Sequence, residues 1–341
     1  MNGNQTEETN TKGPVPVLID TDCGVDDAVA LAMALCARDV CEVVAVTCVD
    51  GNAPLADVAV NVARVLRHCG RADVPYYCGC DRALLAPFAG PHHRFEGHGP
   101  TGLGDAPAEP ATALPAPQGA HAALAIAQHA RACAARGTPL HVVALGPLTN
   151  LAAAAVLDPA LPALLAGVTV MGGTLAAQGN AGLASEFNFD SDPEAAQIVL
   201  ARYGPALPAG VRLVPWEMFA LTLPWATFDR VFPPDPARAP PLAAWFRPVL
   251  ATLVRVLRRD PAHTGVYLPD AVAVLAAIRP CAVTRATSLY AVVETAGTHT
   301  RGAVAFDWAR ATGKKPNCTL IQEIDYDAYV KHLESVFCSS S

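Results

Sequence analysis

Short apolar runs rich in β-branched residues alternate with helix-forming segments along the chain, and this order restricts the fold class. The run at 15–19 is strand-like and ends at Asp20, and the alanine- and leucine-rich segment 28–35 follows it as a helix. Further strands are predicted at 42–48, 74–78, 140–145, 168–171 and 211–214, and further helices at 54–66, 120–135 and 148–157. This alternation predicts an α/β fold with a mainly parallel central sheet and helices on both faces, where ligands bind at the carboxyl ends of strands.

Two proline-rich segments interrupt this order, at 84–118 and 221–241. A structureless segment of such length in a compact domain is usually functional, so the first is predicted to be a functional loop or flexible lid. Neither resembles an interdomain linker, because a strand-like run at 287–295 and a final pattern at 321–337 resume the order. The sequence therefore predicts a single α/β domain over residues 15–338.

Composition and charge indicate a folded protein that binds a small molecule. Hydrophobic residues make up 52% of the 341 residues and charged residues 16%, the opposite of a disordered chain. The formal net charge is -7 without a basic run, which argues against nucleic acid or an anionic membrane as partner. The longest uncharged stretch, 159–185, contains two prolines and several glycines and does not suit a membrane span.

The N-terminal residues and the cysteines indicate the cellular compartment in which the protein is expected. Residues 1–14 are predicted to form a disordered leader, and they lack the apolar core of a secretory signal. The 11 cysteines show neither zinc-site spacing nor a disulfide framework. A reducing compartment, the cytoplasm, is therefore expected.

An acidic cluster follows the first predicted strand: Asp20, Asp22, Asp26 and Asp27 surround Gly24. An isolated aspartate pair would be interpreted as helix capping, with the remaining carboxylates solvated. Four carboxylates around one glycine turn repel one another, and a hard cation offsets that repulsion. Oxygen ligands alone favour Ca²⁺ or Mg²⁺ over zinc.

The segment 20–30 resembles the signature of the inosine-uridine preferring nucleoside hydrolases. Further pieces follow in the order of that family, at 50–52, 98–104, 144–150, 170–173, 180 with 186–188, 192–196 and 270–274. The resemblance implies the Rossmann-like nucleoside hydrolase fold and a homo-oligomer, either a dimer or a tetramer. It also implies hydrolysis of a nucleoside, the small-molecule partner, to ribose and free base.

The resemblance also implies roles for individual residues. It assigns Ca²⁺ as the cofactor and gives its ligands as Asp22, Asp27, Asp270 and the backbone carbonyl of Leu145. Asp22 would also be the general base for the attacking water. The residues implied to bind the ribose are Asp26, Asn180, Glu186 and Asn188, and Asn52 is implied to support the cluster. Carboxylates suit this reaction independently, because cleavage of the bond to the base builds positive charge on the sugar.

One departure from the family concerns the leaving base. Many members have histidine just before the last metal-binding aspartate, and purine-specific members have tryptophan there, whereas this chain has Pro269. Proline donates no proton and stacks poorly. His98 is therefore the candidate acid, with His92 and His93 as neighbouring candidates. The candidate base-stacking residues, which could equally fill the core or subunit contacts, are Trp216, Trp225, Trp245 and Tyr267.

Two other functions are open at this point. One is a catalytically weak nucleoside- or ribose-binding regulatory protein that kept the sugar site but lost activation of the leaving base. The other is a phosphatase with an Asp-x-Asp nucleophile at Asp20 and Asp22. The phosphatase hypothesis is weaker, since the sequence shows no lysine partner and no phosphate-binding loop.

Overall fold

The computed structural model describes residues 13–85 and 94–339. Of the predicted leader, only residues 13 and 14 fall within these ranges. His92 and His93, the neighbouring candidates for the acid, lie outside them.

The described residues form a large sheet of eight strands and two small two-stranded sheets. The strands are β1 Val15–Thr21, β2 Cys41–Cys48, β3 Tyr76–Cys78, β4 Leu140–Ala144, β5 Leu165–Met171, β6 Val211–Val214, β7 Leu223–Pro224, β8 Gly265–Val266, β9 Val283–Leu289, β10 Ala291–Val293, β11 Val304–Phe306 and β12 Cys318–Ile324. The large sheet has the order β3-β2-β1-β4-β5-β6-β12-β9, and every pairing is parallel except β12 with β9. The predicted mainly parallel α/β sheet is confirmed.

Helices cover both faces of this sheet. They are α1 Val25–Cys36, α2 Leu55–His68, α3 Ala122–Ala135, α4 Thr149–Leu157, α5 Phe187–Ser191, α6 Pro193–Arg202, α7 Trp225–Val231, α8 Pro241–Leu257, α9 Pro269–Ile278 and α10 Tyr326–Phe337. Each face of the sheet has its own hydrophobic core, and alternate side chains of β1 point into one or the other. Val17 and Ile19 pack with α1, α2, α8 and α9, whereas Leu18 packs with α3, α4 and α6. Strands buried on both faces explain the continuous apolar runs in the sequence.

The predicted elements match the structure except in the C-terminal half. The second proline-rich segment contains β7 and α7 and leads into the 17-residue helix α8, which the sequence reading missed. The run predicted at 287–295 is divided between β9 and β10, and the pattern at 321–337 is divided between β12 and α10.

The turn from β1 into α1 presents the acidic cluster. Cys23 has a φ of 27°, and the N–H of Gly24 donates to the Asp27 carboxylate over 2.9 Å. A Cβ on Gly24 would lie 2.5 Å from Nδ1 of His98, so only glycine fits between the turn and that histidine. Asp26 and Asp27 lie in the first turn of α1, where the helix dipole favours negative charge.

Candidate active site

A cavity of about 210 Å³ opens at the carboxyl edge of the large sheet, beyond β1, β4 and β5. The chain runs outward in both directions from β1 and β4, so the strand order reverses between them. Crevices at such a reversal are the usual ligand sites of open α/β sheets. The polar wall of the cavity consists of Asp26, Asn52, His98, Asn180, Glu186, Asn188 and Asp270, together with Leu145.

Carboxylates converge at this polar wall, to which Asp26 and Asp270 belong. Oxygens of Asp26, Asp27 and Asp270 lie within 4.8 Å of one another, although Asp270 is 243 positions along the chain from Asp27. Asp22 is completely buried beside Asp27. Among the described residues, Oδ1 of Asp22 and Oδ1 of Asp26 have no hydrogen-bond partner. The predicted ligand set counted Asp22 and assigned Asp26 to the ribose, whereas the set of three carboxylates within 4.8 Å of one another contains Asp26 and not Asp22.

Asn52 and Thr21 hold the cluster in place. The Asn52 backbone N–H donates to Oδ2 of Asp22 over 2.7 Å, and its side-chain amide donates to Oδ2 of Asp27 over 3.0 Å. The Thr21 hydroxyl donates to the other oxygen of Asp27 over 2.6 Å. Asp27 therefore has donors on both oxygens, whereas Oδ1 of Asp22 has none among the described residues. Asp22 is completely buried and is not among the residues that line the cavity.

Burial disfavours charge throughout the cluster. It raises the pKa of Asp26 to about 7, with the charge of Asp27 as the next cause. Burial, followed by the same charge, raises the pKa values of Asp22 and Asp270 well above their usual range. Buried carboxylates in such proximity need an opposing charge, and an oxygen-only set of this kind suits a hard divalent cation.

The carbonyl of Leu145, just beyond β4, lies on the polar wall and accepts a bond from the side-chain amide of Asn188 over 2.6 Å. The same amide nitrogen donates to the carbonyl of Met171 over 3.1 Å. Two carbonyl partners fix the orientation of this amide, because only its nitrogen can donate to them. Oδ1 of Asn188 is therefore left to accept a bond from a ligand.

Asn180 and Glu186 are held by backbone donors. Oδ1 of Asn180 accepts the N–H of Phe187 over 2.8 Å, which leaves its NH₂ group as a donor. The Glu186 carboxylate caps α5 by accepting the N–H of Asn188, and it also accepts the N–H of Gly173. Burial raises the pKa of Glu186 to about 7 in spite of these donors.

His98 is buried against the start of α1. Its Nδ1 accepts the N–H of Val25 over 3.2 Å, so the ring proton is on Nε2. Burial lowers the pKa of His98 to about 4, and the imidazole is neutral at pH 7. Its Nδ1 lies 3.8 Å from Oδ1 of Asp26, but a neutral ring forms no ion pair there. The His98 ring also meets Phe95 edge to face, with centroids 5.6 Å apart.

The other half of the cavity is apolar and includes two of the four predicted stacking candidates. It is lined by Phe95, Met171, Phe187, Trp216, Leu253, Tyr267 and Pro269. Trp216 and Tyr267 meet edge to face with centroids 5.5 Å apart. Trp225 and Trp245 do not line the cavity: Arg258 lies over the ring of Trp225, and Trp245 stacks on His68 at 4.1 Å.

Asp20 is separate from the cavity, which removes the proposed nucleophile of the phosphatase hypothesis. It is completely buried, and its Oδ1 accepts bonds from Thr47 over 2.6 Å and from Asn150 over 2.8 Å. Burial raises the pKa of Asp20 to about 7. Sequence reasoning missed the supporting roles of Thr21 and Asn150, although both residues lie inside motifs that it identified.

Comparisons of sequence agree with this geometry. The family described as inosine-uridine preferring nucleoside hydrolase matches residues 17–331. The pyrimidine-specific ribonucleoside hydrolase RihA of Klebsiella pneumoniae (strain 342) is 30% identical over 321 residues, which cover 93% of this chain and 96% of that protein. RihA of Salmonella typhimurium is 31% identical over 317 residues with the same coverage.

Comparisons of structure lead to the same family. A solved inosine-guanosine nucleoside hydrolase has a TM-score of 0.85 and 32% identity, with 96% of this chain and 99% of that chain covered. The plant nucleoside hydrolase PpNRh1 has a TM-score of 0.81 and 25% identity, with 96% of this chain and 100% of that chain covered.

Within the described ranges, no helix has the length and apolar character needed to cross a membrane. The chain belongs to the inosine-uridine preferring nucleoside hydrolase family and is a hydrolase of N-glycosyl bonds.

Proposed function

We propose that this protein is a Ca²⁺-dependent nucleoside N-ribohydrolase that converts a ribonucleoside and water to ribose and free base. The observation that carries the proposal is the position of the carboxylate cluster, at the wall of a cavity with one polar and one apolar half. The polar half suits the hydroxyls of a sugar, and the apolar half suits the flat face of a base.

The residues present fit a calcium ion. Two buried carboxylate oxygens, on Asp22 and Asp26, have no partner among the described residues. Asp22, Asp27, Asp270 and the Leu145 carbonyl would hold the ion, and Asp26 lies close enough to Asp27 and Asp270 to contribute. When bound, calcium would offset the negative charge of the cluster, orient the ribose hydroxyls and acidify a water molecule.

Asp22 is the proposed general base. Its Oδ2 is held by the N–H of Asn52, so the carboxylate cannot rotate freely, and its Oδ1, which has no partner among the described residues, would accept the proton of the water. A base in a fixed orientation needs no reorganisation as the reaction proceeds.

The sugar would be held by groups with defined hydrogen-bonding character. Asn180 offers a donor, Asn188 offers an acceptor, and Asp26 and Glu186 offer carboxylates. Positive charge develops on the ribose as the bond to the base breaks, and the carboxylates stabilise that charge. Trp216 and Tyr267 would contact the departing base.

The surroundings of the leaving base favour one second candidate function. Pro269 lines the cavity where many relatives supply a histidine, and Nδ1 of His98 is already bonded to α1. A catalytically weak nucleoside-binding protein would have the same sugar site without efficient turnover.

Free base released from a panel of purine and pyrimidine nucleosides separates the two functions. We expect turnover of at least one nucleoside, loss of activity in a chelator, and recovery with added Ca²⁺ in preference to Mg²⁺. Binding of nucleosides without release of base would support the second candidate. Full activity after exhaustive chelation would refute the metal assignment while leaving the hydrolase assignment intact.

A further inference from the structure

Asn61 is a buried residue of α2 that joins two segments of the candidate active site without lining the cavity. It is only 2% exposed. Its Nδ2 donates to the carbonyl of Cys23 over 3.1 Å and to the carbonyl of Thr101 over 2.7 Å. Because only the nitrogen of an amide donates hydrogen bonds, these two carbonyls fix the orientation of the side chain and use both of its protons.

The first of these bonds acts on the turn that carries the carboxylates. Cys23 lies between Asp22 and Gly24 and has a φ of 27°, which a residue with a side chain rarely adopts. Its N–H donates to the hydroxyl of Thr21 over 3.0 Å, so side chains hold both its N–H and its carbonyl. Such a conformation persists only where its surroundings fix it. Asn61 therefore helps to fix the turn that follows Asp22.

The second bond acts on the His98 turn, which comprises residues 98–104. The N–H of Gly104 donates to the carbonyl of His98 over 2.8 Å, and this bond closes the turn around Thr101. Gly102 has a φ of 88°, and a Cβ there would lie 2.9 Å from the same amide nitrogen. The His98 turn therefore packs directly on the amide that also holds the carboxylate turn.

We propose that Asn61 is a positioning residue for nucleoside hydrolysis, because it fixes the His98 turn relative to the carboxylate cluster. This inference rests on the proposed function. The carboxylates would act on the sugar, and His98 is the candidate acid for the leaving base, so an error in their spacing affects both partners of the breaking bond. The bond from the Val25 N–H to His98 is a second link between the two segments. Loss of Asn61 should therefore loosen their spacing without abolishing it.

Asn61→Asp is the test, since aspartate has the size and shape of asparagine but, when ionised, no hydrogen-bond donor. Asn317→Asp is the matched control. Asn317 is also buried, and its Nδ2 also donates to two backbone carbonyls, those of Ala291 over 2.9 Å and Leu200 over 3.4 Å. It is not among the residues that line the cavity.

Amide hydrogen exchange, measured on both variants without substrate or metal, is the first readout. In Asn61→Asp we expect exchange to be faster by about tenfold or more in two segments at once, 23–25 and 98–104. Asn317→Asp should leave both segments at their wild-type rates. Unchanged exchange in both segments of Asn61→Asp would overturn the proposal.

Steady-state kinetics at saturating calcium are the second readout. We expect kcat/KM for inosine or uridine to fall about tenfold in Asn61→Asp and to stay within about twofold of wild type in Asn317→Asp. Equal losses in the two variants would make Asn61 a general contributor to stability and would overturn its positioning role.

Gly102→Ala perturbs the same contact from the other side and serves if Asn61→Asp does not fold. Its control is Gly70→Ala, which has a φ of 64° and no atom within 4 Å of the added Cβ. Faster exchange at 23–25 as well as at 98–104 would support the coupling, and faster exchange at 98–104 alone would overturn it.

Failure of this inference is distinguishable from failure of the proposed function. A wild-type protein that releases no base would refute the proposed function, while the exchange measurements would still test the coupling. Unchanged exchange in the variants of an active enzyme would refute only the role of Asn61.

Discussion

At the residue scale, the two oxygens of Asp22 have different surroundings, and replacing this residue with asparagine exploits the difference. The N–H of Asn52 requires an acceptor, so the amide oxygen of Asp22→Asn will face Asn52 and its NH₂ group will take the place of Oδ1. An amide accepts no proton from water, so we expect kcat to fall by about 10² to 10⁴.

Calcium titration by calorimetry is the control, because Asp22 is also a proposed ligand of the cation. A loss of turnover that persists at saturating calcium supports general-base catalysis. Near-normal turnover would assign the base to another residue.

His98 has two separable properties, the acceptor at Nδ1 and the ring proton at Nε2. His98→Asn retains an acceptor near Val25 but has no Nε2, whereas His98→Ala loses both. If Nε2 assists the leaving base, both variants should lower kcat on inosine or uridine far more than on a p-nitrophenyl riboside, whose leaving group needs little protonation.

Kinetics on the three substrates check this prediction. Full activity of the asparagine variant together with a weak alanine variant would make His98 an anchor for α1 and would exclude it as the acid.

At the element scale, the segment that carries His98 is docked on α8. The N–H of Asp105 donates to the carbonyl of Pro248 over 3.2 Å, and the Asp105 carboxylate is paired with Arg255. Gly104 has a φ of 58°, and a Cβ there would lie 2.0 Å from the carbonyl oxygen of Val249. This contact fixes how closely the cavity wall approaches α8.

Gly104→Ala should displace that wall and raise KM several-fold, in addition to the cost of about 1–2 kcal/mol for a left-handed alanine. Gly70→Ala is the matched control, because Gly70 has a φ of 64° but would have no atom within 4 Å of an added Cβ. Denaturant unfolding and steady-state kinetics on both variants check the prediction. An equal KM in the two variants would mean that the docking does not shape the cavity.

The helix α8 also shows why some elements could not be predicted from the sequence. Prolines crowd its start and Pro248 lies inside it, so the segment has the composition of a loop. Its buried side chains nevertheless recur at helical spacing, at Phe246, Val249, Leu250, Leu253 and Leu257. Proline is tolerated in the first turn of a helix. The spacing of the apolar residues therefore indicated the helix better than the proline content of the segment did.

At the scale of the whole molecule, buried ionisable groups couple stability to pH. His141 on β4 is buried, with its Nε2 2.9 Å from the hydroxyl of Thr169, and burial lowers its pKa to about 4 from 6.5. The unfolded chain binds a proton at this site between these values and the folded chain does not. The contribution of His141 to stability is therefore complete above pH 6.5 and is lost as the pH falls toward 4.

The fall in stability at acidic pH is the acid limb of the stability profile. His141→Gln should make this acid limb shallower, removing roughly 2 kcal/mol of the difference in unfolding free energy between pH 7 and pH 5. Urea unfolding at the two pH values measures it. The exposed His299→Gln is the control and should leave the limb unchanged. An unaltered limb in His141→Gln would mean that other groups produce it.

The sequence predicted the alternation of strands and helices, because the apolar period is a local property. It could not predict the strand order, which depends on pairing between distant segments. Asp27 and Asp270 were grouped through a resemblance, since their separation along the chain conceals their proximity. The domain boundaries and the roles of the site residues stay predictions.

The late position of Asp270 has a consequence for biosynthesis. A nascent chain emerging from the ribosome exposes the first aspartates early, but α9 follows them by more than two hundred residues, and β12, which lies between β6 and β9, follows later still. Early intermediates therefore contain an acidic turn with an incomplete set of ligands. Under the proposed function, tight binding of calcium therefore requires that synthesis has passed α9, which carries the proposed ligand Asp270.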